Sequence, residues 1–303
     1  FTAMGTLVNG GTIITLTSNK HFDPHNLWET VEREGVTNMA IVGDAFGKPM
    51  LASLDENPGR YKLNTVVGII SSGVMWSTEV KRGLIRHMPQ VALTDSFGAS
   101  EAVGFGSSVM TADGEVRTSK FTIGPKCKVF TEDGREVVPG SGEAGYIARG
   151  GAVPLGYYKD KEKTDKTFKT INGVRYSVPG DWCTVEADGT ITLLGRGSNC
   201  INTAGEKVYP EEVEEALKAH DSVKDALVVG VPDDKWGQAI TAVVSLDAPV
   251  DESALRDFVK SKLAHYKAPK RILFKDDLGR AVNGKADYKS IKAFALAELG
   301  ISA

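Results

Sequence analysis

The sequence predicts a multidomain protein of mixed α/β and α+β architecture, on the basis of three observations. Apolar strand-like runs alternate with amphipathic helical runs up to about Gly104, a pattern typical of a parallel sheet covered by helices. Short β-branched runs separated by tight-turn pairs follow as far as Leu194, and helical and strand patterns mix again from Gly195 onward. The length of 303 residues is enough for about two domains with cores of their own.

The composition is that of an ordinary globular protein and excludes several classes. Hydrophobic residues make up 41% and charged residues 25% of the chain, which excludes disordered and fibrous proteins. The 36 basic and 39 acidic residues nearly cancel, so no overall positive field points to nucleic acid. The longest apolar runs are far shorter than the about 20 residues that cross a membrane. Three widely spaced cysteines predict reduced thiols and a cytoplasmic protein, without disulfides or a zinc site.

The first segment, residues 1–104, is predicted to be an α/β subdomain with parallel strands. Two helices are indicated by apolar and amphipathic positions that recur at helical spacing. Their markers are Leu27, Val31 and Glu34 for one helix, and Val80, Leu84 and His87 for the other. The predicted strands are Ile13–Leu16, Thr37–Val42, Val66–Ile70 and Val91–Thr94.

The second segment, residues 105–194, is predicted to be a small antiparallel barrel or sandwich without helices. Asn, Asp and Gly tolerate the positive φ that tight hairpins require, and pairs of these residues divide the segment into short runs. The pairs are Asp113-Gly114, Asp133-Gly134, Asn172-Gly173 and Asp188-Gly189.

The third segment, residues 195–303, is predicted to be a compact α+β domain. Pro210, Glu211 and Glu212 favour a helix start, because proline fits the first turn and acids interact well with a helix N-terminus. The loop Gly195–Ser198 is the predicted domain boundary, since its residues have little packing of their own. Further predicted elements are strands at Leu227–Val231, Ile240–Leu246 and Arg271–Phe274, and helices at Ser253–Leu263 and Asp287–Leu299.

The run DSFGASE, Asp95 to Glu101, directly follows a predicted strand. Ligands bind at the carboxyl ends of strands in open α/β sheets. Phe97 can stack on a base, Ser100 can hydrogen-bond a phosphate, and the Glu101 carboxylate suits a hard cation such as Mg²⁺. Taken alone, the run is more often a strand-to-loop turn with a helix N-cap at Ser100.

Three other charged residues stand beside turn residues. Asp181, in GDW, is an isolated acid of the kind that binds two ribose hydroxyls. Arg196 lies in the predicted interdomain loop, and Lys285 follows Asn283-Gly284 before the last helix, where it can deliver a compact positive charge to a phosphate or carboxylate. Read one at a time, each is more often an ordinary surface residue.

Taken in order, these motifs resemble the adenylate-forming superfamily, which includes acyl-CoA synthetases, luciferases and peptide-synthetase adenylation domains. The matching runs are FGASE, with Ser100 in place of the usual threonine, GEAGYIARGG with GYYKD, YSVPGDW, GRGSNCINTAGEKVYPEEVE, VVGVPDDKWGQ and NGK. The resemblance implies an acid-thiol ligase that uses ATP, Mg²⁺ and coenzyme A, and that passes through an acyl-AMP intermediate.

The resemblance also implies a role for individual residues. Lys285 and Glu101 are the expected catalytic residues, Glu101 is the expected metal ligand, and Ser198 is the expected hinge, although many relatives have Asp or Lys there. The Ala204-Gly205 region is expected to face the pantetheine of coenzyme A. The residues expected to bind nucleotide or cosubstrate are Ser72, Gly73, Asp95, Ser96, Phe97, Gly98, Ser100, Asp181, Arg196 and Gly205.

One family feature has no counterpart in this sequence. The Ser/Thr/Gly-rich loop ending in Pro-Lys, which wraps the ATP β- and γ-phosphates, is absent, so we expect the C-terminal part of a synthetase that is inactive alone. The surface left by the missing half favours self-association or another partner. GVMWSTEV and VGFGSSVM favour a fatty or other bulky acid. The alternatives are a non-catalytic nucleotide-binding or interaction module, and an amino-acid adenylating domain.

Overall fold

The computed structural model describes residues 2–301 except for 18–20, 75, 115–119, 282 and 283. The chain forms two compact units, Phe1–Gly124 and Pro125–Ala303. The division at residues 104 and 194 that the sequence suggests stays a prediction. In the part of the chain that is described, every helix is too short or too polar to cross a membrane.

The first unit contains a mixed sheet with helices between its strands. Strands β1 to β3 are parallel, and β4 and β5 continue the sheet in antiparallel fashion, in the order β1-β2-β3-β4-β5. The elements are α1 Thr2–Val8, α2 Pro24–Glu34, β1 Asn38–Ile41, α3 Asp44–Glu56, β2 Gly68–Ser72, α4 Thr78–His87, β3 Ala92–Ala99, β4 Ala102–Met110 and β5 Lys120–Ile123.

Local signals explain how the helices of this unit begin and pack. Helix α2 follows Asp23, whose carboxylate accepts a hydrogen bond from His25 N at 2.9 Å, and it ends at Gly35 in the left-handed conformation. Trp28 from α2 and Leu84 from α4 are fully buried in one core with residues of the sheet. The predicted helices around Val31 and Leu84 are therefore confirmed.

One prediction for this unit is wrong, and so is the interpretation of the run Asp95–Glu101 taken alone. Ile13–Leu16 is not a strand, and none of the described strands pairs with it, so its backbone lacks the partner that a strand requires. Asp95–Ala99 is not a loop before a helix, because β3 continues to Ala99 and β4 pairs with it as the second arm of a hairpin. Ser100 therefore lies in a hairpin turn instead of capping a helix.

The second unit begins with an antiparallel sheet, as the turn pairs predict. Its strand order is β11-β10-β7-β9-β8, and β6 pairs with β7. The elements are β6 Cys127–Phe130, β7 Ala144–Gly150, α5 Lys161–Thr167, β8 Phe168–Ile171, β9 Val174–Ser177, β10 Asp181–Val185 and β11 Ile191–Arg196, followed by a 3-10 turn at Gly197–Asn199.

The prediction that residues 105–194 contain no helix is wrong, because α5 lies between β7 and β8. Asp160 caps α5 by accepting a hydrogen bond from Lys163 N at 2.9 Å. Ion pairs one turn apart join Lys161 to Asp165 and Lys166 to Glu162. A short helix without an apolar face is supported by such caps and pairs, which hydrophobic periodicity does not detect.

The rest of the second unit is a sheet covered on both faces. Strand β15 pairs with β14, β12 and, in parallel, β16, and β13 pairs with β12. The elements are β12 Ile201–Thr203, β13 Glu206–Val208, α6 Pro210–Lys218, β14 Val223–Asp233, β15 Gly237–Leu246, α7 Glu252–Lys262, a 3-10 turn at His265–Lys267, β16 Arg271–Phe274 and α8 Tyr288–Glu298.

Alternation along β14 divides the core of this sheet into two clusters. Ala226 and Val228 pack with α6 and α7, whereas Leu227 and Val229 pack with α8. Successive strand residues point to opposite faces, so a continuous apolar run indicates a strand that is buried on both sides. The predicted elements of this domain are all present, with bounds shifted by a few residues at most except for β14, which begins four residues earlier.

The three cysteines are free thiols, as expected. Cys127 and Cys183 are buried and Cys200 is partly buried. Burial raises the pKa of Cys183 to about 12, and the nearby Asp181 acts in the same direction. Cys183 is therefore a packed apolar residue and not a nucleophile.

Candidate active site

The carboxyl ends of β2 and β3 bring two predicted residues side by side. In the parallel register Ser71 lies opposite Asp95, and Ser72 lies opposite Ser96. Ser72 is exposed and Ser96 is partly buried. The chain then turns at Gly73, whose φ of 92° favours glycine. Two hydroxyl groups therefore lie at one edge of the sheet, where open α/β sheets bind ligands.

Gly98 allows the hairpin between β3 and β4 to close. A Cβ atom at this position would lie 3.0 Å from Gly104 N and 3.3 Å from Ala102 O. The strand register shifts between Phe97 and Ala99. Any side chain would push the two backbones apart, so a close backbone approach explains this glycine.

The ring of Phe97 is held by two other aromatic rings. Its centroid lies 5.2 Å from that of Phe105, in a stacked arrangement, and 5.4 Å from that of Phe121. Phe97 itself is only partly buried. A ring that is fixed on one side and partly exposed suits stacking on a planar ligand.

Ser100 and Glu101 form the turn of this hairpin. Ala99 pairs with Ala102, which leaves the two residues between them as the loop. Ser100 is exposed and Glu101 is partly buried. Among the residues described, no group of three or more His, Cys, Asp or Glu side chains forms a metal cluster. Mg²⁺ commonly uses one or two carboxylates together with substrate phosphates, so the single carboxylate of Glu101 fits a metal that arrives with a nucleotide.

Asp95 is bound by a lysine that the sequence reasoning missed. Lys81 on α4 forms an ion pair with Asp95, and both side chains are buried. The Lys81 ammonium also lies 5.6 Å from the ring centroid of Trp76, which is fully buried in the core. The pair anchors the first residue of the motif. The sequence signal for a buried lysine was that Lys81 lies at helical spacing from Leu84 and Ile85, on one buried face of α4.

Asp181 and Arg196 face each other across the β10–β11 pair. They are register partners, and Arg196 Nε lies 3.5 Å from Asp181 Oδ1. The Asp181 side chain is only 10% exposed, whereas that of Arg196 is 59% exposed. Gly180, with a φ of 101°, accepts a hydrogen bond from Gly197 N at 3.0 Å. The structure thus brings Asp181 together with the start of the predicted boundary loop.

Glu211 packs against the same loop, and its role was not foreseen. Its Oε1 accepts a hydrogen bond from Arg196 N at 3.4 Å, and a Cβ atom at Gly195 would lie 2.1 Å from its Oε2. Burial raises the pKa of the Glu211 carboxyl, and the charge of Asp181 acts in the same direction. Sequence reasoning assigned Glu211 only to a helix start, because nothing local indicates that its carboxylate lies against Gly195.

The predicted hinge and cosubstrate residues lie on exposed turns. Ser198 is exposed in the 3-10 turn. Ala204 and Gly205 connect β12 to β13 with φ values of 51° and 87°, and Ala204 N donates to Trp236 O at 2.8 Å. A non-glycine residue in the left-handed region costs about 1 kcal/mol or more, so the contact with Trp236 stabilises a strained turn.

Lys285 lies on an exposed loop with defined backbone contacts. Ala281 N donates to Lys285 O at 3.0 Å, and Gly284 N donates to Ala281 O at 2.7 Å. Asn283, the first residue of the NGK motif, is outside the described residues. The ammonium group extends from a loop closed by its own backbone hydrogen bonds.

Two family models match the chain. The model for AMP-binding enzymes matches residues 1–158, which is more than half of the chain, and the model for the AMP-binding enzyme C-terminal domain matches residues 212–285. The chain belongs to the AMP-binding enzyme family. The resemblance to the adenylate-forming superfamily is therefore confirmed.

Several CoA ligases resemble this chain. It is 45% identical to the medium/long-chain-fatty-acid–CoA/3-oxocholest-4-en-26-oate–CoA ligase of Mycobacterium marinum, over 89% of this chain and 50% of the relative. It is 44% identical to the 3-oxocholest-4-en-26-oate–CoA ligase of Rhodococcus rhodochrous, over 94% of this chain and 52% of the relative. The chain spans about half the length of the curated relatives it matches.

Solved structures confirm the predicted fold class. ATP-bound MatB from Rhodopseudomonas palustris superimposes with a TM-score of 0.80 at 26% identity, over 97% of this chain and 56% of MatB. The o-succinylbenzoate CoA synthetase MenE from Bacillus subtilis, solved with its acyl-adenylate intermediate, gives a TM-score of 0.76 at 25% identity, over 96% of this chain and 57% of MenE.

The predicted site residues other than Gly205 form three groups. The first lies at the ends of β2 and β3 and in the β3–β4 hairpin, and it includes Phe97 and Glu101. The second joins Asp181 to Arg196 and the loop that holds Ser198. The third is the loop of Lys285. Each group is defined by its own contacts.

Proposed function

We propose that this chain is part of an ATP-dependent acyl-CoA synthetase, an acid-thiol ligase that activates a fatty or other bulky carboxylic acid. The observation that carries the proposal is 43–45% identity to CoA ligases along 89–94% of this chain. Those relatives are named for medium- and long-chain fatty acids and for 3-oxocholest-4-en-26-oate. The acid specificity proposed here rests on this similarity.

The proposed reaction has two steps that share one nucleotide. A carboxylate oxygen of the acid attacks the α-phosphorus of ATP, the bond to pyrophosphate breaks, and acyl-AMP forms. The thiolate of coenzyme A then attacks the acyl carbon, the bond to AMP breaks, and the thioester forms. Negative charge accumulates in both steps, so fixed positive charge and positioned hydrogen-bond donors accelerate them.

The first group of residues would hold the nucleotide. Phe97 would stack on the adenine, and Gly73 and Gly98 would let backbone approach it closely. Ser72, Ser96 and Ser100 would offer hydroxyl groups. Glu101 would hold Mg²⁺, whose charge offsets that of the ATP phosphates. The ion pair of Asp95 with Lys81 supports this site by fixing the start of the motif.

The second and third groups would act on the ribose and the reacting phosphate. Asp181 would accept hydrogen bonds from the ribose hydroxyls, with Arg196 beside it. Lys285 would neutralise the carboxylate and α-phosphate oxygens in the first step. Positioning these groups on one nucleotide replaces a bimolecular encounter by a bound, oriented one.

The third segment, residues 195–303, would move between the two steps. We place the pivot at Ser198, in the exposed turn after β11. Rotation there would withdraw Lys285 and present the Gly205 turn to the pantetheine of coenzyme A, so that the same acyl-AMP is formed in the first step and used in the second.

The proposal is tested with the complete enzyme, meaning the natural protein that contains this chain. We expect pyrophosphate release and CoA-thioester formation with medium- or long-chain fatty acids or 3-oxocholest-4-en-26-oate, and none with amino acids. Activity with amino acids alone would instead favour an amino-acid adenylating enzyme. Absence of acyl-AMP with every acid would support a non-catalytic module and contradict the proposal.

The 303-residue chain is expected to be inactive by itself, because the sequence lacks the loop that wraps the ATP polyphosphate. Pyrophosphate release with thioester formation by the purified chain would contradict this expectation. We also propose a cytoplasmic location, supported by the free cysteines, and self-association of the isolated chain, for which light scattering at several concentrations is the measurement.

A further inference from the structure

The loop that carries Lys285 is held by an arginine with two kinds of partner. Arg280 Nε and Nη2 donate to the two carboxylate oxygens of Asp225, at 2.6 and 2.9 Å. Asp225 lies on β14, and the two side chains are 23% and 24% exposed. A two-pronged arginine–carboxylate pair fixes the orientation of the guanidinium plane as well as its position.

The third nitrogen of the same guanidinium contacts the backbone beside the lysine. Arg280 Nη1 donates to Gly284 O at 3.1 Å, and Gly284 directly precedes Lys285. Gly284 N in turn donates to Ala281 O, and Ala281 N donates to Lys285 O. The peptide on the N-terminal side of Lys285 is therefore connected through one side chain to β14, the strand at the end of the sheet.

A second contact fixes the chain on the other side of Lys285. Tyr288, the first residue of α8, donates from its hydroxyl to Glu214 Oε2 at 3.2 Å. Glu214 is buried on α6, and its Oε1 accepts a hydrogen bond from Val228 N at 2.9 Å. Burial raises the pKa of the Glu214 carboxyl to about 8. Lys285 thus lies between two anchored points.

We propose that Arg280 is a positioning residue for Lys285 in acyl-AMP formation, acting through its contacts with Asp225 and Gly284. This inference rests on the proposed function. The lysine ammonium is a point charge on a flexible four-carbon stem, so the place it can reach depends on where its backbone is held. A displacement of about 1 Å in a positioned group can cost about 10²-fold in rate.

The two half-reactions of the complete enzyme test this role separately. Arg280→Lys keeps the charge but cannot bind both Asp225 oxygens and Gly284 O together. We expect acyl-AMP formation to fall about 10- to 100-fold through kcat, with the KM for ATP nearly unchanged. Thioester formation from supplied acyl-AMP should stay within about twofold, because Lys285 does not act in that step.

A matched variant controls for the loss of an arginine. Arg256 also joins a backbone carbonyl, Pro269 O at 3.0 Å, and a carboxylate, Glu252 at 3.4 Å. Arg256→Lys should leave both half-reactions unchanged. Asp225→Asn, which weakens the other end of the Arg280 pair, should reproduce the selective loss of acyl-AMP formation.

The outcomes separate this inference from the proposed function. A loss in Lys285→Ala together with unchanged acyl-AMP formation in Arg280→Lys would overturn the positioning role alone. Undiminished acyl-AMP formation in Lys285→Ala would overturn the role of the lysine and, with it, that of Arg280. Equal loss of both half-reactions in Arg280→Lys, with a lowered melting temperature, would show that Arg280 acts on the fold as a whole and would overturn the proposal.

Amide exchange gives a second readout on the 303-residue chain. Ala281 N–H is bonded to Lys285 O within the loop. We expect Arg280→Lys to accelerate exchange of the Ala281 and Gly284 amides, while β14 and β15 keep their protection. Unchanged exchange in this loop would mean that Arg280 does not hold it, and would overturn the proposal.

Discussion

Arg196 covers the carboxylate of Asp181 across the β10–β11 pair, with 3.5 Å between Arg196 Nε and Asp181 Oδ1. The arginine is mostly exposed and the aspartate is almost buried. A single long ion pair with an exposed partner is worth little, about 0 to 1 kcal/mol. A ligand hydroxyl can therefore replace the arginine at Asp181 at small cost.

Asp181→Asn is expected to weaken nucleotide binding. A hydrogen bond to a charged group contributes about 1.5–3 kcal/mol, which corresponds to about 10- to 100-fold in the dissociation constant of AMP. Calorimetric titration of the complete enzyme with AMP is the measurement. Asp165→Asn, in the exposed pair with Lys161 on α5, is the control and should bind AMP normally. Equal affinity in the wild type and Asp181→Asn would remove Asp181 from the nucleotide site.

Gly195→Ala is expected to destabilise the second unit strongly. The new Cβ would meet the Glu211 carboxylate at 2.1 Å, on a backbone with a φ of 134°. Gly189→Ala is the matched control, because it has a φ of 80° but open space around it, so it should cost only the about 1–2 kcal/mol of the left-handed conformation. Chemical denaturation should show a larger loss at Gly195, partly restored by adding Glu211→Ala. Equal losses at the two glycines would contradict the contact with Glu211.

Lys81→Met is expected to cost about 3–5 kcal/mol of stability. The change removes the charged partner of the buried Asp95 carboxylate, and breaking a buried ion pair by removing one partner is strongly destabilising. Removing both charges, in Lys81→Met with Asp95→Leu, should recover part of the loss. Lys161→Met, in an exposed pair, should change the free energy of unfolding by less than about 1 kcal/mol. A loss of less than about 1 kcal/mol in Lys81→Met would show that the Lys81–Asp95 pair does not stabilise the fold.

The stability of the second unit is expected to depend on pH through Glu214. Burial raises its pKa from 4.5 to about 8, so the folded state binds the proton more tightly than the unfolded state. The contribution of Glu214 to the free energy of unfolding is complete below about pH 4.5 and is lost as the pH rises toward 8. Between pH 5 and 8 the wild type should therefore lose stability relative to Glu214→Gln, measured by urea unfolding at each pH. A constant difference between the two proteins would contradict the raised pKa.

Local sequence signals predicted several elements of the third segment. The strand at Arg271–Phe274 has the predicted bounds, and the helix at Pro210 begins where proline and the acids indicate. The apolar run around Leu227 predicted a strand, and the structure buries that strand on both faces. The run Ile13–Leu16 has the same local character but no strand beside it among the described residues, and apolar pattern alone does not report whether a partner is present.

The site was predicted by motif order and not by its supporting contacts. Phe97, Asp181 and Lys285 were identified because their motifs occur in the family's order along the chain. The motifs did not identify the supporting residues Lys81, Glu211 and Arg280. Each of them contacts a residue at least fourteen positions away in the chain. Arg280 also contacts its own loop. Such pairs become visible only when the fold brings distant segments together.

The proposed activity is tested most directly by single-turnover formation of acyl-AMP in the complete enzyme, with the wild type compared to Lys285→Ala. With a medium- or long-chain fatty acid and ATP, the wild type should form acyl-AMP and release pyrophosphate. Lys285→Ala should do so about 10²- to 10³-fold more slowly, while still converting supplied acyl-AMP and coenzyme A to the thioester. Acyl-AMP formation by Lys285→Ala at the wild-type rate would contradict the proposed chemistry.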